Sequence, residues 1–196
     1  MPLENKVAVL YGAGGPIGGA VARAFAREGA RVHIAGRTGK TLDTLADAIR
    51  AQGGVAETGV VDALDEDAVD TYVDGIAARE GRIDISFNVI GYGDVQQPPA
   101  ERVALDALEG LRRQWACELG PSGVRVVTLK TGGVPESLPE GFPGAAEIAA
   151  GLQEATPLPR TATLSDVGDT AAFVASDKAR TITSTGINIS CGAIVD

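Results

Sequence analysis

Cysteine and histidine are scarce in this sequence of 196 residues, which contains two cysteines and one histidine. Cys117 and Cys191 are too few for a disulfide framework and do not have the close spacing of metal ligands. The single His33 cannot complete a zinc site with them. The sequence therefore predicts no metal centre, and it predicts reduced thiols of the kind found in the cytoplasm.

Basic residues and long apolar runs are also lacking. Lys and Arg number 17 against 26 Asp and Glu, which leaves a net charge of −9. This excess of acid argues against a nucleic-acid partner, because binding a phosphate backbone requires a basic surface. No run reaches the roughly 18 apolar residues that a membrane span needs, and residues 1–6 do not resemble a secretory signal. We expect a soluble cytoplasmic protein without a nucleic-acid or membrane partner.

The sequence does contain a regular alternation of short apolar runs and amphipathic segments. A helix is also predicted where Thr163 and Asp166 have the spacing of a capping pair. The alternation predicts a doubly wound α/β fold, with one parallel sheet covered by helices on both faces, and residues 1–196 forming a single domain. The predicted strands are residues 7–11, 31–35, 55–61, 83–90, 124–129 and 187–190.

A glycine-rich turn joins the first strand to the first helix, where the sequence reads Gly-Ala-Gly-Gly-Pro-Ile-Gly. Glycine at such a turn lets the backbone approach a diphosphate, and the free N–H groups of the helix bind its charge. A tight connection without a ligand is the alternative interpretation. The candidate cofactor-binding residues in the turn are Gly12, Gly14, Gly15, Ile17 and Gly18.

Three further strand ends are expected at the same edge of the sheet. Gly36 and Arg37 follow the second strand, where an NAD-selective enzyme usually has a carboxylate for the ribose. Arg37 suits a 2′-phosphate, which favours NADP over NAD, although a solvated surface arginine is the alternative. Asp62 ends the third strand and either contacts an adenine or caps the turn toward Asp65. Asn88 ends the fourth strand.

These motifs resemble those of the short-chain dehydrogenase/reductase family. Residues 11–18 are similar to its Thr-Gly-x-x-x-Gly-x-Gly turn, with Tyr11 replacing Thr and Pro16 replacing the middle Gly. Asp62-Ala63 resembles the family's adenine-contacting site, and Asn88 to Gly91 resembles Asn-Asn-Ala-Gly. The second half of the family pattern resembles residues 107–121, 124–132 and 157–192. The resemblance implies a homo-oligomeric NADP(H)-dependent oxidoreductase that transfers hydride between nicotinamide and a carbonyl or alcohol substrate.

The family's catalytic residues have no counterpart in this sequence. The family uses Ser, Tyr and Lys, with Tyr-x-x-x-Lys at the start of its long helix, where Tyr exchanges a proton and Lys lowers its pKa. When residues 107–118 are matched to the family's long helix, the family's Tyr and Lys positions are occupied here by Glu101 and Leu105. No catalytic residue is therefore assigned, although Tyr92 and Lys130 follow strands on the same edge and form a weaker candidate pair.

The shortfall lies in the middle of the chain. The family places a helix, a strand and the long helix between the two matching strands, and one βαβ unit alone takes about 30 residues. Residues 92–123 hold a single helix, so one helix and one strand are predicted to be missing between Gln96 and Glu101. Three causes would explain this shortfall: residues of the protein that are absent from the sequence, a deliberate deletion, or a naturally short form. The first is favoured, because loss of a central strand exposes apolar edges.

Two functions fit these observations. One is an NADP(H)-dependent oxidoreductase whose proton-transfer residues belong to the missing segment. The other is a non-catalytic protein of the same fold that binds a dinucleotide and lacks the acid.

Overall fold

A computed structural model of the chain describes residues 1–89 and 99–194, with side chains from residue 106 onward in the second range. Gly91, Tyr92 and Gln96 lie outside the described residues, as do the side chains of Glu101 and Leu105. The strands are β1 (Val7–Tyr11), β2 (Arg31–Gly36), β3 (Val55–Val60), β4 (Ile85–Asn88), β5 (Val127–Lys130) and β6 (Thr185–Asn188). The helices are α1 (Pro16–Arg27), α2 (Gly39–Ala51), α3 (Glu66–Glu80), α4 (Pro99–Leu119), α5 (Ala145–Glu154) and α6 (Leu164–Ala175).

The helix ends follow from local chemistry. α1 begins with Pro16, whose fixed φ suits the first helical position. α3 begins after Asp65, whose side chain accepts a hydrogen bond from the Ala68 N–H at 3.0 Å. α6 has the predicted capping box, in which Thr163 Oγ1 accepts from Asp166 N at 3.1 Å and Asp166 Oδ2 accepts from Thr163 N at 2.9 Å.

Every described strand pairs in parallel with its neighbour, which confirms the predicted α/β class. Four strands form a sheet in the order β3-β2-β1-β4, and β5 and β6 form a second sheet. The predicted parallel arrangement is thus present, with its described strands in two groups. In the described residues no strand lies between β4 and β5, so no strand pairing joins the two groups. The break follows the same crossover that the sequence predicts to be short of a strand.

Three strands differ from their predicted bounds by two residues or more, and at the end of each a side chain bonds to the backbone. The fourth strand begins later, where the Asp84 carboxylate accepts a hydrogen bond from Val7 N at 2.9 Å. The fifth begins at Val127, because Val126 N donates to the Thr183 hydroxyl at 3.1 Å. The last strand ends at Asn188, whose side chain accepts from Ser190 N at 3.0 Å and turns the chain.

The main apolar core lies between the four-stranded sheet and helices α1, α2 and α6. β1 contributes Ala8 and Leu10 to this core, and its alternate residues Val7 and Val9 pack with Ile76 on the α3 side. α6 lies close against α1, since a Cβ at Gly168 would be 3.0 Å from both Ala20 O and Ala24 Cβ. The residues with the largest fully buried side chains include Phe25, Leu10, Ile34, Leu42 and Val167. The packing holds β1 and α1, and thus the glycine turn between them, at fixed positions.

Among the helices of the described ranges, none is both long enough and apolar enough to cross a membrane.

We expect Thr163→Ala to lower the free energy of unfolding by about 1 kcal/mol, since the first turn of α6 loses its cap. Hydrogen bonds from the Thr163 backbone and side chain also lower the pKa of Asp166. A depressed pKa adds stability above the unfolded value, which is lost as pH falls through the folded value. Urea unfolding at pH 7 measures the effect, and Thr163→Ser, which keeps the hydroxyl, serves as control. An equal loss in both variants would contradict the capping role.

Candidate functional site

The turn between β1 and α1 requires glycine at both of its ends, for different reasons. Gly12 has a φ of +76°, a conformation that favours glycine. A Cβ at Gly18 would lie 2.5 Å from the carbonyl oxygen of Gly12 and 2.8 Å from Ala13 Cα. Gly12 N and Ala13 N both donate to Ala35 O, at 3.1 and 3.3 Å, which ties the turn to the end of β2. The helix therefore starts directly against the strand, as the predicted motif requires.

The start of α1 presents free hydrogen-bond donors. Its N-cap, Gly15, has no side chain to cap the first turn. Among the described residues, the N–H groups of Gly14, Ile17 and Gly18 have no acceptor. Such groups carry the positive end of the helix dipole and bind phosphate or carboxylate. The turn therefore offers, at one place, backbone donors of the kind that a diphosphate needs.

A cavity of about 200 Å³ lies beside this turn and extends to the end of β2. Arg37 is exposed at its rim, and within the described part of the chain its guanidinium has no ion pair or hydrogen bond. The cavity lining contains no Asp or Glu. The cavity thus has the Arg37 guanidinium at its rim and no carboxylate in its lining, at the place where the sequence predicts that the 2′-phosphate of the ribose binds. The lining residues are Gly12, Gly14, Gly15, Gly36, Arg37, Thr38, Thr41 and Leu42.

Asp62 follows β3 at the same edge of the sheet, and it shapes the turn before α3. Its Oδ1 accepts from Leu64 N at 3.1 Å and its carbonyl oxygen accepts from Asp65 N at 3.0 Å. The turn-forming role that the sequence left open is therefore present. The side chain remains exposed, and the half-buried Ala63 follows it.

Asn88 is brought to the glycine turn by strand register. It lies opposite Tyr11, the last residue of β1, and Tyr11 lies opposite Ala35 of β2 on its other side. The carboxyl ends of these strands therefore meet at one edge. Lys130 ends β5, and its side chain lies over Gly186 of β6, where a Cβ would be 2.7 Å from Lys130 Cε.

The two described tyrosines belong to the core on the α3 side. Tyr11 and Tyr72 pack against the small cluster of Val7, Val9 and Ile76. Burial, followed by the charge of Asp70, raises the pKa of Tyr11. Burial raises the pKa of Tyr72 to about 12. Both phenols therefore stay protonated near neutral pH.

Sequence reasoning missed a polar cluster between α4 and β5. Glu109 Oε1 accepts from the Thr128 hydroxyl at 2.6 Å, and its Oε2 accepts from Arg112 Nη2 at 3.1 Å. Burial raises the pKa of Glu109, but these hydrogen bonds and the charges of Arg112 and Lys130 outweigh it and lower the pKa overall. The Glu109–Arg112 pair, three residues apart in a helix, is the signal that could have revealed it.

α4 also carries an exposed row of apolar residues. From residue 106 onward, the four large apolar residues of α4 are 42 to 48% exposed. The helical pattern predicts that Trp115 lies in the core or at a subunit interface, and among the described residues its side chain is exposed. Arg112 and Ala116 are the buried residues of the helix from residue 106 onward. The exposed set, which we call the α4 stripe, comprises Leu108, Leu111, Trp115 and Leu119.

The described residues contain no group of three or more His, Cys, Asp or Glu side chains that could hold a metal ion.

Two family models match the chain, each over about half of its length. The model described as short chain dehydrogenase matches residues 6–106. The model described as Enoyl-(Acyl carrier protein) reductase matches residues 95–193. The two matches meet in residues 95–106, between β4 and the body of α4.

Individual proteins are similar over different lengths. The uncharacterized oxidoreductase YxbG of Bacillus subtilis is 43% identical over 103 residues, which cover 50% of this chain and 38% of that protein. The A-factor type gamma-butyrolactone 1'-reductase (1S-forming) of Streptomyces virginiae is 28% identical over 250 residues, covering 97% of this chain and 96% of the reductase. The chain spans about a third of the length of several of the more identical relatives.

Solved structures share the fold. A short chain dehydrogenase from Burkholderia cenocepacia in complex with NADP superposes with a TM-score of 0.85 at 22% identity, covering 98% of this chain and 99% of that one. An NAD+-bound xylitol dehydrogenase superposes with a TM-score of 0.83 at 20% identity, covering 98% and 100%.

The alignment that covers nearly the whole chain also shows how many residues this chain lacks relative to that reductase. The alignment with the Streptomyces reductase runs over 250 positions, and 97% of 196 residues fills about 190 of them. About 60 positions of the reductase therefore have no counterpart here. A helix, a strand and their connections fit within that number.

We expect Gly18→Ala to destabilise the protein, because the new methyl group would overlap the backbone of Gly12 and Ala13. A fall in melting temperature of several degrees is expected. Gly110→Ala is the matched control, since a Cβ there meets nothing within 4 Å. The same fall in both variants would show that the close approach at Gly18 is unimportant.

Proposed function

The chain belongs to the short-chain dehydrogenase family, and from this membership we propose that it is an NADP(H)-dependent oxidoreductase of the short-chain dehydrogenase/reductase type. We propose residues 1–196 as one dinucleotide-binding domain. The proposed cofactor contacts are Gly12, Gly14, Gly15, Ile17, Gly18, Arg37, Asp62, Ala63, Asn88 and Gly91.

The observation that carries this proposal is the glycine turn with its free donors. The close approach of Gly18 to Gly12 leaves backbone N–H groups pointing outward at the start of α1. A diphosphate brings two negative charges and several acceptor oxygens, which match these donors. The residues present therefore fit a dinucleotide in the cavity beside the turn.

The preference for NADP over NAD rests on Arg37. A carboxylate in the cavity lining would accept from a ribose hydroxyl and repel a phosphate, and the lining has none. The Arg37 guanidinium supplies a planar fork that suits a phosphate. Solved relatives include one in complex with NADP and one bound to NAD+. NAD is the alternative cofactor.

The proposed reaction is hydride transfer between nicotinamide and a small carbonyl or alcohol substrate. The bound cofactor supplies the hydride chemistry. This chain's part is to hold the diphosphate on the turn, the adenosine half beside Arg37 and Asp62, and the rest of the dinucleotide along the strand ends toward Asn88. The proton-transfer residues belong, in this proposal, to the segment that is missing between Gln96 and Glu101.

The second candidate function is a non-catalytic dinucleotide-binding protein, which the absence of Tyr-x-x-x-Lys from the sequence favours.

We expect Arg37→Gln to weaken NADPH binding by about tenfold to a hundredfold, since a charge-assisted contact to the 2′-phosphate is lost. NADH binding should stay unchanged. Titration calorimetry with both nucleotides measures this, and Lys40→Gln removes an equal charge outside the cavity lining as a control. Equal loss for NADPH and NADH would contradict the assignment of Arg37 to the phosphate.

The 196-residue chain should bind NADPH without oxidising it in the presence of a panel of ketones, since it has no Tyr-Lys pair to supply the proton. If the protein from its natural source has an intact mass clearly above 20.0 kDa and turns over ketones, the missing-segment explanation holds. Turnover by the 196-residue chain itself, abolished by Tyr92→Phe, would instead place the acid in the present sequence. A natural mass of 20.0 kDa with binding alone would favour the non-catalytic function.

We also propose that the protein is a cytoplasmic homo-oligomer that associates through the α4 stripe. An exposed apolar row on one helix is typical of an association surface. Trp115→Glu should therefore shift the protein to monomer in sedimentation equilibrium. Arg113→Glu, on the same helix but outside the stripe, is the control. A monomeric unsubstituted protein would contradict the proposal.

A further inference from the structure

His33 is buried beneath α3, in the middle of β2. Its side chain is 2% exposed. Strand register places it between Val9 of β1 and Glu57 of β3. The sequence contains no other histidine, and the proposed cofactor site does not use this one. A buried polar ring is unfavourable unless its nitrogens have partners, so the groups around it decide what it does.

Each ring nitrogen of His33 faces a carboxylate. Nε2 lies 3.3 Å from Oε1 of Glu80, the last residue of α3, and Nδ1 lies 3.5 Å from Oε2 of Glu57. Nδ1 is buried and, within residues 1–89 and 99–194, has no hydrogen-bond partner. A neutral imidazole has one N–H and one lone pair, whereas the imidazolium has an N–H on both nitrogens. The protonated ring therefore attracts both carboxylates, and the neutral ring turns a lone pair toward one of them.

Two arginines extend this arrangement across the interface between α3 and the sheet. Arg31 Nε of β2 lies 3.1 Å from Oε2 of Glu80, and Arg79 Nη2 of α3 lies 3.5 Å from Oε2 of Glu57. Basic and acidic side chains thus alternate in a row with His33 at its centre. The row ties the last turn of α3 to both β2 and β3.

The rest of α3 makes few apolar contacts with the described residues. Ile76 is its buried residue, and Tyr72 packs half-buried over Gly59 of β3. Tyr72 is also the titratable group of α3 nearest the start of the row, and burial keeps its phenol protonated near neutral pH by raising its pKa to about 12. β1 presents the apolar Val9 to this interface. Elements with little buried apolar surface open easily, so the turn beyond Ile76 depends on the ion pairs.

We propose that His33 is a pH-sensitive latch for the last turn of α3, residues 77–80. The imidazolium donates to Glu80 from Nε2 and attracts Glu57 through Nδ1. When the ring releases one proton to water, the bond to one carboxylate loses its charge assistance and the other carboxylate faces a lone pair. Residues 77–80 then leave the sheet more often. The latch is separate from the proposed function and does not require that a cofactor bind.

Nuclear magnetic resonance tests the latch directly, because the imidazole nitrogen signals of this chain report on His33 alone. Both nitrogens should be protonated at about pH 5.5, and one of them should lose its proton by about pH 8. Over the same transition, the hydrogen-exchange protection factors of residues 77–80 should fall by about fivefold to tenfold. Protection factors are compared because they remove the pH dependence of the exchange chemistry itself. The buried amides of Ala171 and Val174 in α6 should keep their protection.

Glu57→Gln removes one of the two carboxylates from a side chain that is 46% exposed, so the fold should persist. The pH-dependent change in protection of residues 77–80 should shrink at least about twofold in this variant. Asp47→Asn is the matched control, since it neutralises an exposed carboxylate of α2 that pairs with Arg50, and it should keep the full change. His33→Gln should abolish the change. If His33→Gln does not fold, the nitrogen signals and Glu57→Gln decide.

Three results would overturn the inference. One is a ring that keeps a single protonation state from about pH 5.5 to about pH 8. Another is a ring that titrates in this range while the protection of residues 77–80 stays constant. The third is the full change in protection in Glu57→Gln.

Discussion

The contact between Gly18 and the Gly12 carbonyl is the constraint on which the rest of the structure depends. The absence of a side chain at Gly18 lets α1 start directly against the end of β1. This position sets where α1 crosses the sheet, and α6 in turn packs on α1 through Gly168. The same contact holds the glycine turn beside the cavity near Arg37. The fold and the proposed binding site thus depend on the same close approach, between the backbone at Gly18 and the backbone at Gly12.

Much of the first half could be predicted from sequence because its signals are local. The apolar run 7–11, the glycine turn and the spacing of Leu42, Leu45, Ala46 and Ile49 each specify an element within a few residues. The capping pair of Thr163 and Asp166 is equally local, and the structure shows both of its hydrogen bonds. The strand ends that meet at the glycine turn followed from the rule for parallel sheets.

The second half was harder to predict because its strand limits depend on partners distant in sequence. β5 starts at Val127 since a threonine 57 positions away bonds to Val126. The division into two sheets depends on which strands pair with each other. The hydrophobic periodicity within a strand does not predict that pairing. The burial of Arg112 likewise depends on what packs on α4, which the helical pattern of apolar residues does not specify.

The packing of α6 on α1 has a consequence for how the chain is made. Ala20 and Gly168 are 148 positions apart in sequence, yet they touch in the main core. During synthesis from the N-terminus, β1 and α1 leave the ribosome long before the helix that covers them. Closure of so large a loop is slow, and the uncovered face of α1 is apolar. The face of α1 that α6 covers therefore has no partner until the last quarter of the chain emerges.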